Sequence, residues 1–567
     1  MGKNTPDDAT AVGRPYHQRV RLSARRDGRK PENALACRNC ARRCEPCQIC
    51  PLSRLAPWRT VPSPSYSVVT FEGDLMGSVA GRSVIWTALE SGGLFLLSFA
   101  VLIVVARTLG PADLGTAALA VGTVQLFAMA IDTLVHDAIV QRAEVSQSHL
   151  DSGFWASIGI GIVCAAVCWA GATPMGRIFG SDDLPILLVV GSLTLPITGA
   201  TTVPIAILRR DFQFKALALR TLYGRMAGGI VAILLVALGF GIWGLLAQHI
   251  VQAMVNAASV WRATEWRPRF VFRPSLLKEL VTFGILSVGT RMSWVAGARL
   301  YTMLVGYFLG LAAVGYINVA QRVVDTLNDV LTGASYNLAL PLFSRLQMDR
   351  AALVRAYTQA LEFAAVAVQP LFAGIAVCAP AIVRLFFGES WAAAIPLVQI
   401  VAVGTMLQFI LLFGEAALMA VGRPAYAFYY GFVSFMSILA WFAGMPPAGE
   451  ASAAVIWSAR SIVAGPFLLV VVHRVLGGEA TIGFFKSWLA PSVALAAMVA
   501  AVVAIEWSMP AGYGPGKLLL IQVPAGALVY LSVITVMKRQ LVLGALGFLV
   551  SRGRKPVPQT GPEVVSS

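Results

Sequence analysis

The chain has 567 residues, of which 57% are hydrophobic and 13% are charged, and its formal net charge is +16. Soluble domains carry about a quarter charged residues, so this composition excludes an ordinary soluble protein and predicts an integral membrane protein. Much of the positive charge lies in short loops between apolar runs. Membrane orientation explains such a distribution, so we expect no nucleic-acid partner.

The N-terminal segment, residues 1–78, is basic and rich in proline, and it contains a cluster of five cysteines. These are Cys37, Cys40, Cys44, Cys47 and Cys50. Their close spacing suits a metal or iron–sulfur cluster, whereas the lack of hydrophobic periodicity around them is typical of a disordered cytoplasmic tail. We favour a third interpretation, in which the natural chain starts at Met76. We therefore assign no metal site to the cysteines.

About fourteen apolar runs follow, each about 20 residues long, the length of a helix that crosses roughly 30 Å of hydrocarbon. They lack the alternating pattern of a membrane β-barrel, so we predict an all-α integral membrane protein. The predicted spans are 84–106, 116–140, 153–173, 184–208, 221–239, 242–262, 280–306, 312–340, 357–377, 391–420, 424–444, 451–474, 484–506 and 517–537.

Lysine and arginine are concentrated in alternate loops, so they lie on one side of the membrane. Examples are Arg142, Arg209, Arg210, Arg220, Arg262, Arg273, Arg345, Arg355, Arg423, Arg474, Lys538 and Arg539. The opposite side holds little beyond Arg107, Arg177, Arg384 and Lys517. The positive-inside rule therefore predicts that both termini are cytoplasmic, which an even number of spans also requires.

The sequence contains an internal repeat. Residues 107–120 (RTLGPADLGTAALA) align with residues 307–320 (YFLGLAAVGYINVA) at an offset of 200, and a second echo relates 176–184 to 383–391. Because each half would contain six spans, an even number, the halves are predicted to be parallel repeats about an axis normal to the membrane. Two six-helix lobes with a site at their interface is the architecture of a transporter.

This organisation predicts five segments. They are a tail at 1–78, an N-lobe at 79–275 with spans 1–6, a C-lobe at 276–475 with spans 7–12, two further spans at 476–540 and a cytoplasmic tail at 541–567.

Several stretches of the sequence resemble one family. They are ARTLGPADLG (106–115), AIVQRAEVSQSHLDSGFW (138–155), AILRRDFQFKALAL (206–219), FLGLAAVGYINVAQRV (308–323), LPLFSRLQMDRAALVRAYTQAL (340–361), APAIVRLFFGESWAAAIPLVQI (379–400) and ALMAVGRPAYAF (417–428). The chain resembles the Wzx-type polysaccharide flippases, the polysaccharide transporter branch of the MOP exporter superfamily. The resemblance implies a V-shaped, MATE-like bundle of two lobes related by a pseudo-twofold axis. It also implies a non-enzymatic flippase that moves polyprenyl-diphosphate-linked repeat units across the bacterial inner membrane for exopolysaccharide, capsule or O-antigen synthesis.

Charged side chains inside spans cost about 2.5–3.5 kcal/mol on insertion scales, so they usually face a cavity or a partner. Arg291 and Arg299 are our best candidates for the diphosphate, because eight residues along a helix places them about 80° apart in projection. Arg322, which matches the family pattern, completes the predicted substrate-binding set. The alternative for Arg299 is a structural pair with a carboxylate of the other lobe. Tyr301 stands where the family often carries an acidic residue.

Carboxylates in the spans are candidates for ion coupling. Glu90 corresponds through the repeat to a position beside Arg291, so we predict either a structural pair between them or a proton-carrying role for Glu90. Asp325 and Asp329 share one helical face with Arg322, and an internal salt bridge is the favoured interpretation, ahead of coupling or a place in the cavity wall. A further group, Asp132, His136 and Asp137, is expected to be hydrated near the cytoplasmic end of its helix.

No Walker A segment is present, so we expect that ATP is not the energy source within this chain, and coupling to H⁺ or Na⁺ is the candidate. We also expect no cofactor and no metal. The predicted partners are the polyprenyl-diphosphate-linked oligosaccharide and membrane lipids, with a polysaccharide polymerase and export machinery as candidates. Three alternatives stay open: an ion-coupled multidrug-type exporter of the same superfamily, a membrane glycan polymerase or ligase, and a non-transporting subunit of an export complex. The first would need an acidic cavity and the second a long periplasmic loop.

Overall fold

The computed structural model describes residues 97–142, 145–276, 297–510 and 513–539. Within these ranges the chain forms helices and turns and no strand. The predicted tails, the cysteine cluster, Glu90 and Arg291 lie outside the described residues.

The helices are α1 Leu97–Thr108, α2 Pro111–Gln141, α3 Gln147–Phe179, α4 Asp183–Ser192, α5 Thr194–Arg210, α6 Phe214–Ala237, α7 Trp243–Ala263, α8 at 297–309, α9 Leu311–Arg345, α10 Arg350–Phe386, α11 Ile395–Ala420, α12 Pro424–Gly444, α13 Glu450–Leu476, α14 Gly478–Ser508 and α15 Pro515–Met537. A 3₁₀ turn, Glu389–Ala394, precedes α11. The bounds of α1 and α8 are those of their described parts.

Ten membrane-crossing candidates are found among the described residues by length and composition, with α4 and α5 counted together. They coincide with ten of the fourteen predicted spans. Helices α7 and α9, with 21 and 35 residues, are long enough to cross but are absent from the ten. Their polar side chains explain the difference, because a helix facing lipid on all sides cannot keep such groups. These two helices are therefore expected to line the interior.

Helices α2 and α9 cross at a pair of glycines. A Cβ atom placed on Gly115 would lie 1.9 Å from the carbonyl oxygen of Leu311. One placed on Gly315 would lie 1.9 Å from the carbonyl oxygen of Pro111. The two contacts are equivalent, because Gly115 and Gly315, and likewise Pro111 and Leu311, are related by the offset of 200 found in the sequence. Only glycine permits so close an approach of two backbones.

The end of α1 is attached to the second half of the chain. The Arg107 guanidinium donates hydrogen bonds to the carbonyl oxygens of Phe386 (Nε, 2.8 Å) and Leu385 (Nη2, 2.5 Å). These carbonyls belong to the last turn of α10, where a cation is favoured by the helix dipole. The buried Trp391 indole also donates to the carbonyl oxygen of Ala106 (2.8 Å).

The end of α8 makes the corresponding contact with the first half, but with apolar groups. A Cβ atom on Gly306 would lie 3.0 Å from the Phe179 ring at the end of α3. The two halves of the chain therefore meet at the end of the bundle that carries the α1–α2 and α8–α9 turns.

A further pair of turns repeats with a different offset. The α5–α6 turn at 211–213 and the α11–α12 turn at 421–423 make matching backbone hydrogen bonds, each residue of one 210 positions before its counterpart. The central residue has a left-handed conformation in both, with φ of 55° at Phe212 and 73° at Gly422. The strained position is held by phenylalanine in the first turn and by glycine in the second.

Helices α14 and α15 pack against each other and against α10. The Tyr530 hydroxyl donates to the carbonyl oxygen of Val366 (2.8 Å), and Lys538 Nζ lies 2.5 Å from Glu362 Oε1. The last two predicted spans thus lie beside the second half and do not separate α2 from α9.

Candidate functional site

Arg299 reaches from the second half of the chain to the first. Its Nη2 donates a 2.6 Å hydrogen bond to Gln125 Oε1 on α2. Its aliphatic stem lies over Gly122, where an added Cβ atom would be 3.5 Å from the arginine Cδ. The Nε atom is buried and has no hydrogen-bond partner among the described residues. No carboxylate of the described residues forms an ion pair with Arg299, so the predicted structural pair is not found there.

Arg322 on α9 and His249 on α7 lie close enough to Arg299 for their charges to interact with it. The structure therefore brings together two of the three predicted substrate-binding arginines, from different helices, with a histidine beside them. Arg291, the third, lies outside the described residues. The Arg299 guanidinium forms no ion pair with a carboxylate of the described residues, so it is suited to bind an anion, and its planar donors suit phosphate oxygens.

Asp325 and Asp329 lie on the same face of α9 as Arg322, as the spacing predicts, but they do not form the expected salt bridge. No ion pair joins Arg322 to either carboxylate in the described part of the chain. The charges interact at longer range, and neighbouring helices add further cations: the charge of Asp325 also interacts with that of Arg460, and the charge of Asp329 with that of Arg225.

Arg460 on α13 forms a second cationic centre that the sequence did not assign to a site. The residue is 8% exposed, and its guanidinium carbon lies 3.5 Å from the centroid of the Trp457 ring. Its Nη2 donates to Gln408 Oε1 at 2.7 Å, and Nη1 donates to the carbonyl oxygen of Trp457. Tyr301 lies against Trp457 with the ring centroids 4.8 Å apart. The sequence signal for this centre was Arg460 itself, a charged residue inside the predicted span 451–474.

A cavity of about 230 Å³ lies within the first half, among α2, α4, α5, α6 and α7. Its polar lining comprises Gln125, Asp132, Arg220, His249, Gln252 and Asn256, with three threonines of α5. Asp132 Oδ1 accepts a 3.0 Å hydrogen bond from Thr202. Arg220 is close enough for its charge to interact with the carboxylate. Gln125 and His249 belong both to this cavity and to the surroundings of Arg299.

The expectation that Asp132, His136 and Asp137 are hydrated is wrong for the last two. His136 and Asp137 are each 7% exposed, and His136 Nδ1 lies 2.9 Å from Asp137 Oδ1. Helix α2 continues to Gln141, and α3 and α5 pack along it. These two side chains are therefore enclosed by protein.

Metal binding receives no support from the described ranges, where no group of three or more His, Cys, Asp or Glu side chains is placed to hold an ion.

The described helices define a class of protein, a polytopic membrane protein whose polar interior receives side chains from both halves of the chain. The profile of the family described as "Polysaccharide biosynthesis protein" matches residues 104–396, just over half of the chain. The chain belongs to this family, and the predicted resemblance is thereby confirmed.

Three relatives show the extent of the similarity. The succinoglycan biosynthesis transport protein ExoT of Rhizobium meliloti (strain 1021) is 28% identical over 57% of this chain and 65% of its own length. The teichuronic acid biosynthesis protein TuaB of Bacillus subtilis (strain 168) is 24% identical over 70% and 82%. The lipopolysaccharide biosynthesis protein WzxC of Escherichia coli (strain K12) is 23% identical over 57% and 66%. The matched region thus spans just under two thirds of ExoT and of WzxC.

Two solved structures share the fold. The lipid II flippase MurJ in an inward closed conformation has a TM-score of 0.65 at 15% identity, covering 81% of this chain and all of MurJ. An inward-facing multidrug resistance MATE family transporter of the MOP superfamily has a TM-score of 0.53 at 17% identity, covering 72% and 98%. At these identities the likeness establishes the MOP-type helical fold and nothing about substrate.

Proposed function

We propose that this protein is a flippase that moves polyprenyl-diphosphate-linked oligosaccharide repeat units from the cytoplasmic to the periplasmic leaflet of the bacterial inner membrane. The product would supply exopolysaccharide, capsule or O-antigen synthesis. The observation that carries the proposal is that Arg299, half-buried and hydrogen-bonded to Gln125, forms no ion pair with a carboxylate of the described residues, while Arg322 and His249 lie near enough for their charges to interact with it. Two guanidinium groups from separate helices suit a diphosphate, which offers acceptors to both.

The family and its relatives support the same function. ExoT is a succinoglycan transport protein and WzxC a lipopolysaccharide biosynthesis protein by name. Arg299 also argues against the multidrug-type alternative, because a cavity for cationic drugs would place a carboxylate at such a position, and no carboxylate of the described residues forms an ion pair with Arg299.

The proposed architecture has fourteen spans, two six-helix lobes at 79–275 and 276–475, and two C-terminal helices. The reciprocal contact of Gly115 and Gly315 supports a pseudo-twofold relation between the lobes. The basic turns lie together at the end opposite the α1–α2 turn, which supports cytoplasmic termini. We expect no enzymatic activity and no cofactor.

Coupling to H⁺ or Na⁺ is part of the proposal, with Asp325, Asp329 and Glu90 as its candidate carboxylates. Asp325 is half-buried and interacts with both Arg322 and Arg460, so its charge state would influence both cationic centres. A polymerase and an export machinery would take over the flipped repeat unit.

The test is deletion of the gene, followed by measurement of lipid-diphosphate-linked repeat units and of secreted polysaccharide. We expect repeat units to accumulate on the cytoplasmic leaflet while the polymer is lost. Complementation with Arg299→Gln should restore less than about a tenth of the polymer, because about 1.4 kcal/mol of lost anion binding corresponds to a factor of ten.

The matched control is Arg384→Gln, since the Arg384 side chain is 50% exposed and only 3.3 Å from Glu389 at the surface. This variant should complement fully. Normal polymer in the deletion strain, combined with new sensitivity to cationic drugs, would contradict the flippase and favour the exporter. Repeat units that accumulate already exposed to the periplasm would show that flipping occurs elsewhere.

A further inference from the structure

The segment that follows α7, residues 264–273, contains no helix or strand and is called the linker below. Its backbone is held by two side chains near the start of α3. The Arg269 backbone N–H donates a 3.0 Å hydrogen bond to Asp151 Oδ1, and the Arg273 backbone N–H donates one of 3.0 Å to Ser152 Oγ. Both acceptor residues are buried. The linker is therefore fixed to α3 at two points.

Phe270 lies at the apex of a tight turn in the linker. The Val271 N–H donates to the carbonyl oxygen of Arg269 (2.8 Å), and the Trp155 indole of α3 donates to the same oxygen (2.9 Å). The Phe270 ring stacks on the Trp155 ring with the centroids 4.9 Å apart. Phe270 is nevertheless 92% exposed. The stacking thus orders this ring and leaves most of it free for another contact.

Trp155 shows where the linker lies relative to the membrane. The predicted span 153–173 begins two residues before it. Ile162 and Trp169 follow Trp155 at intervals of seven residues, so the three share one helical face. Ile162 is 55% exposed and Trp169 is 49% exposed, as expected for a face that contacts lipid. Phe270 therefore lies at the end of this lipid-facing surface, at the level where aromatic side chains meet the headgroups.

The linker also presents two arginine side chains that have no acidic partner. Arg269 and Arg273 are exposed, and neither forms an ion pair with a carboxylate of the described residues. Arg267 is different, because its Nη1 donates to the carbonyl oxygen of Trp266 (2.9 Å) and its guanidinium lies over the Trp261 ring. Two cations therefore flank the Phe270 turn, and a third is already engaged by the protein.

These features match the chemistry of an anionic phospholipid. The linker has a formal charge of +2, from three arginines and one glutamate. Guanidinium groups suit the oxygens of a lipid phosphate, and anionic leaflets attract basic segments at their surface. Phe270 and the 52% exposed Phe272 offer apolar surface to the part of the lipid below its headgroup. A soluble acidic protein would match the charge but not the place of these rings beside lipid.

We propose that the linker and Trp155 form a binding site for an anionic phospholipid. Arg269 and Arg273 bind its phosphate, and Phe270 packs against its glycerol and upper acyl region. In the proposed orientation this lipid belongs to the cytoplasmic leaflet. The site is separate from the anion site at Arg299, and it does not depend on what the protein transports.

The test is native mass spectrometry of the purified full-length protein in detergent, with equal amounts of palmitoyl-oleoyl phosphatidylglycerol and phosphatidylcholine. We expect phosphatidylglycerol to bind more tightly. The double variant Arg269→Gln, Arg273→Gln should weaken its binding about 25-fold, because each arginine beside an anionic lipid contributes about fivefold. Phe270→Ser keeps both charges and should weaken it about threefold, since the apolar contact is lost. These side chains are exposed, so the variants should unfold at the temperature of the unaltered protein.

The matched control is the double variant Arg345→Gln, Arg355→Gln, which removes the same charge from exposed positions of α9 and α10 on the side of the basic turns. It should bind phosphatidylglycerol as the unaltered protein does. Equal binding of the two lipids by the unaltered protein would overturn the site. An equal loss in the two double variants would also overturn it, since net charge alone would then govern lipid binding.

Farnesyl diphosphate, a short polyprenyl diphosphate, separates this site from the proposed one at Arg299. The linker variants should bind it as tightly as the unaltered protein does. If the Arg269→Gln, Arg273→Gln variant loses farnesyl diphosphate and phosphatidylglycerol alike, the two anions share one site and a separate phospholipid site is overturned.

Discussion

Residues 200 positions apart in α2 and α9 match differently in two regions, the crossing of the two helices and the polar region further along them. Residue identity is kept in the first region and not in the second. At the crossing, residues 200 positions apart are alike, and Gly115 and Gly315 make the same 1.9 Å approach to the opposite backbone. In the polar region, corresponding residues differ: Gly122 corresponds in the repeat to Arg322, and Gln125 corresponds to Asp325.

This difference has a physical reason. A contact between two backbones accepts only glycine, so the same residue is required on both sides of the crossing. The ligand that we propose is asymmetric and has no such requirement, because its diphosphate would need cations at one place only. Gly122 leaves space for the Arg299 stem, whereas the equivalent position on α9 is itself an arginine. Residue identity in the repeat is therefore kept at the helix crossing and lost among the polar residues further along the helices.

The largest expected effect comes from breaking the symmetric contact. Gly315→Ala places a methyl group where the Pro111 carbonyl oxygen now lies, so the two backbones must separate by more than an ångström. We expect a loss of about 3 kcal/mol or more, the upper end of the range for overpacking, and little folded protein. Size-exclusion yield and thermal unfolding in detergent measure the effect.

The control is Gly333→Ala in the same helix, because no atom of the described residues lies within 4 Å of a Cβ placed there. This change should leave the unfolding temperature unaltered or slightly raised, since alanine is the better helix former. Equal behaviour of the two variants would show that the crossing does not determine stability.

A smaller effect is expected from making the interior more symmetric in charge. Gln125→Glu keeps the shape of the side chain but sets a carboxylate 2.6 Å from the Arg299 guanidinium, like the acidic residue at 325. The new ion pair would neutralise the anion site, so farnesyl diphosphate should bind about tenfold more weakly. Binding measurements in nanodiscs test this, with thermal unfolding as the check on folding.

Gln125→Met separates charge from hydrogen bonding. It removes the acceptor for Arg299 without adding a negative charge, so we expect its affinity to stay within about threefold of the unaltered value. An equal loss in the Glu and Met variants would mean that orientation of Arg299, and not its net charge, governs the binding of the diphosphate.

The smallest effect concerns the two matching turns. Gly422→Ala puts a side chain at a φ of 73°, and we expect a loss of about 1 kcal/mol in the free energy of unfolding. Gly444→Ala is the comparison: a Cβ atom placed on either glycine meets no atom of the described residues within 4 Å, but only Gly422 has a positive φ. If both variants unfold at the same temperature, the backbone strain of a side chain at position 422 is negligible. That result would agree with the other turn, where Phe212 has a side chain at a φ of 55°.

Sequence patterns predicted much of the fold because they depend on local chemistry. Ten of the predicted spans coincide with apolar helices, and the repeat at 107–120 and 307–320 contains the two glycines of the crossing. The turn repeat at 211–213 was missed, since phenylalanine stands at Phe212 where the second half has glycine. Backbone conformation is alike in the two turns, but residue identity is not.

The candidate site was predicted less completely. The partial burial of Arg299 follows from the cost of leaving a charge in lipid, whereas the Arg322 side chain is exposed. The salt bridge expected on α9 is absent from the described residues, because helical spacing fixes a shared face but not the cations that α6 and α13 bring to it. The Arg460 centre and the cavity were missed for the same reason.

The sequence by itself determined that this is an all-α membrane protein of the polysaccharide biosynthesis family. Hydrophobic runs and their spacing carry that information, since burial in lipid depends on each segment alone. Only the tertiary structure decided which polar side chains meet. Arg299 donates a hydrogen bond to Gln125, 174 residues away in the sequence, and Arg460 donates one to Gln408, 52 residues away. Such partners depend on how helices pack against one another, and packing is a property of the whole bundle.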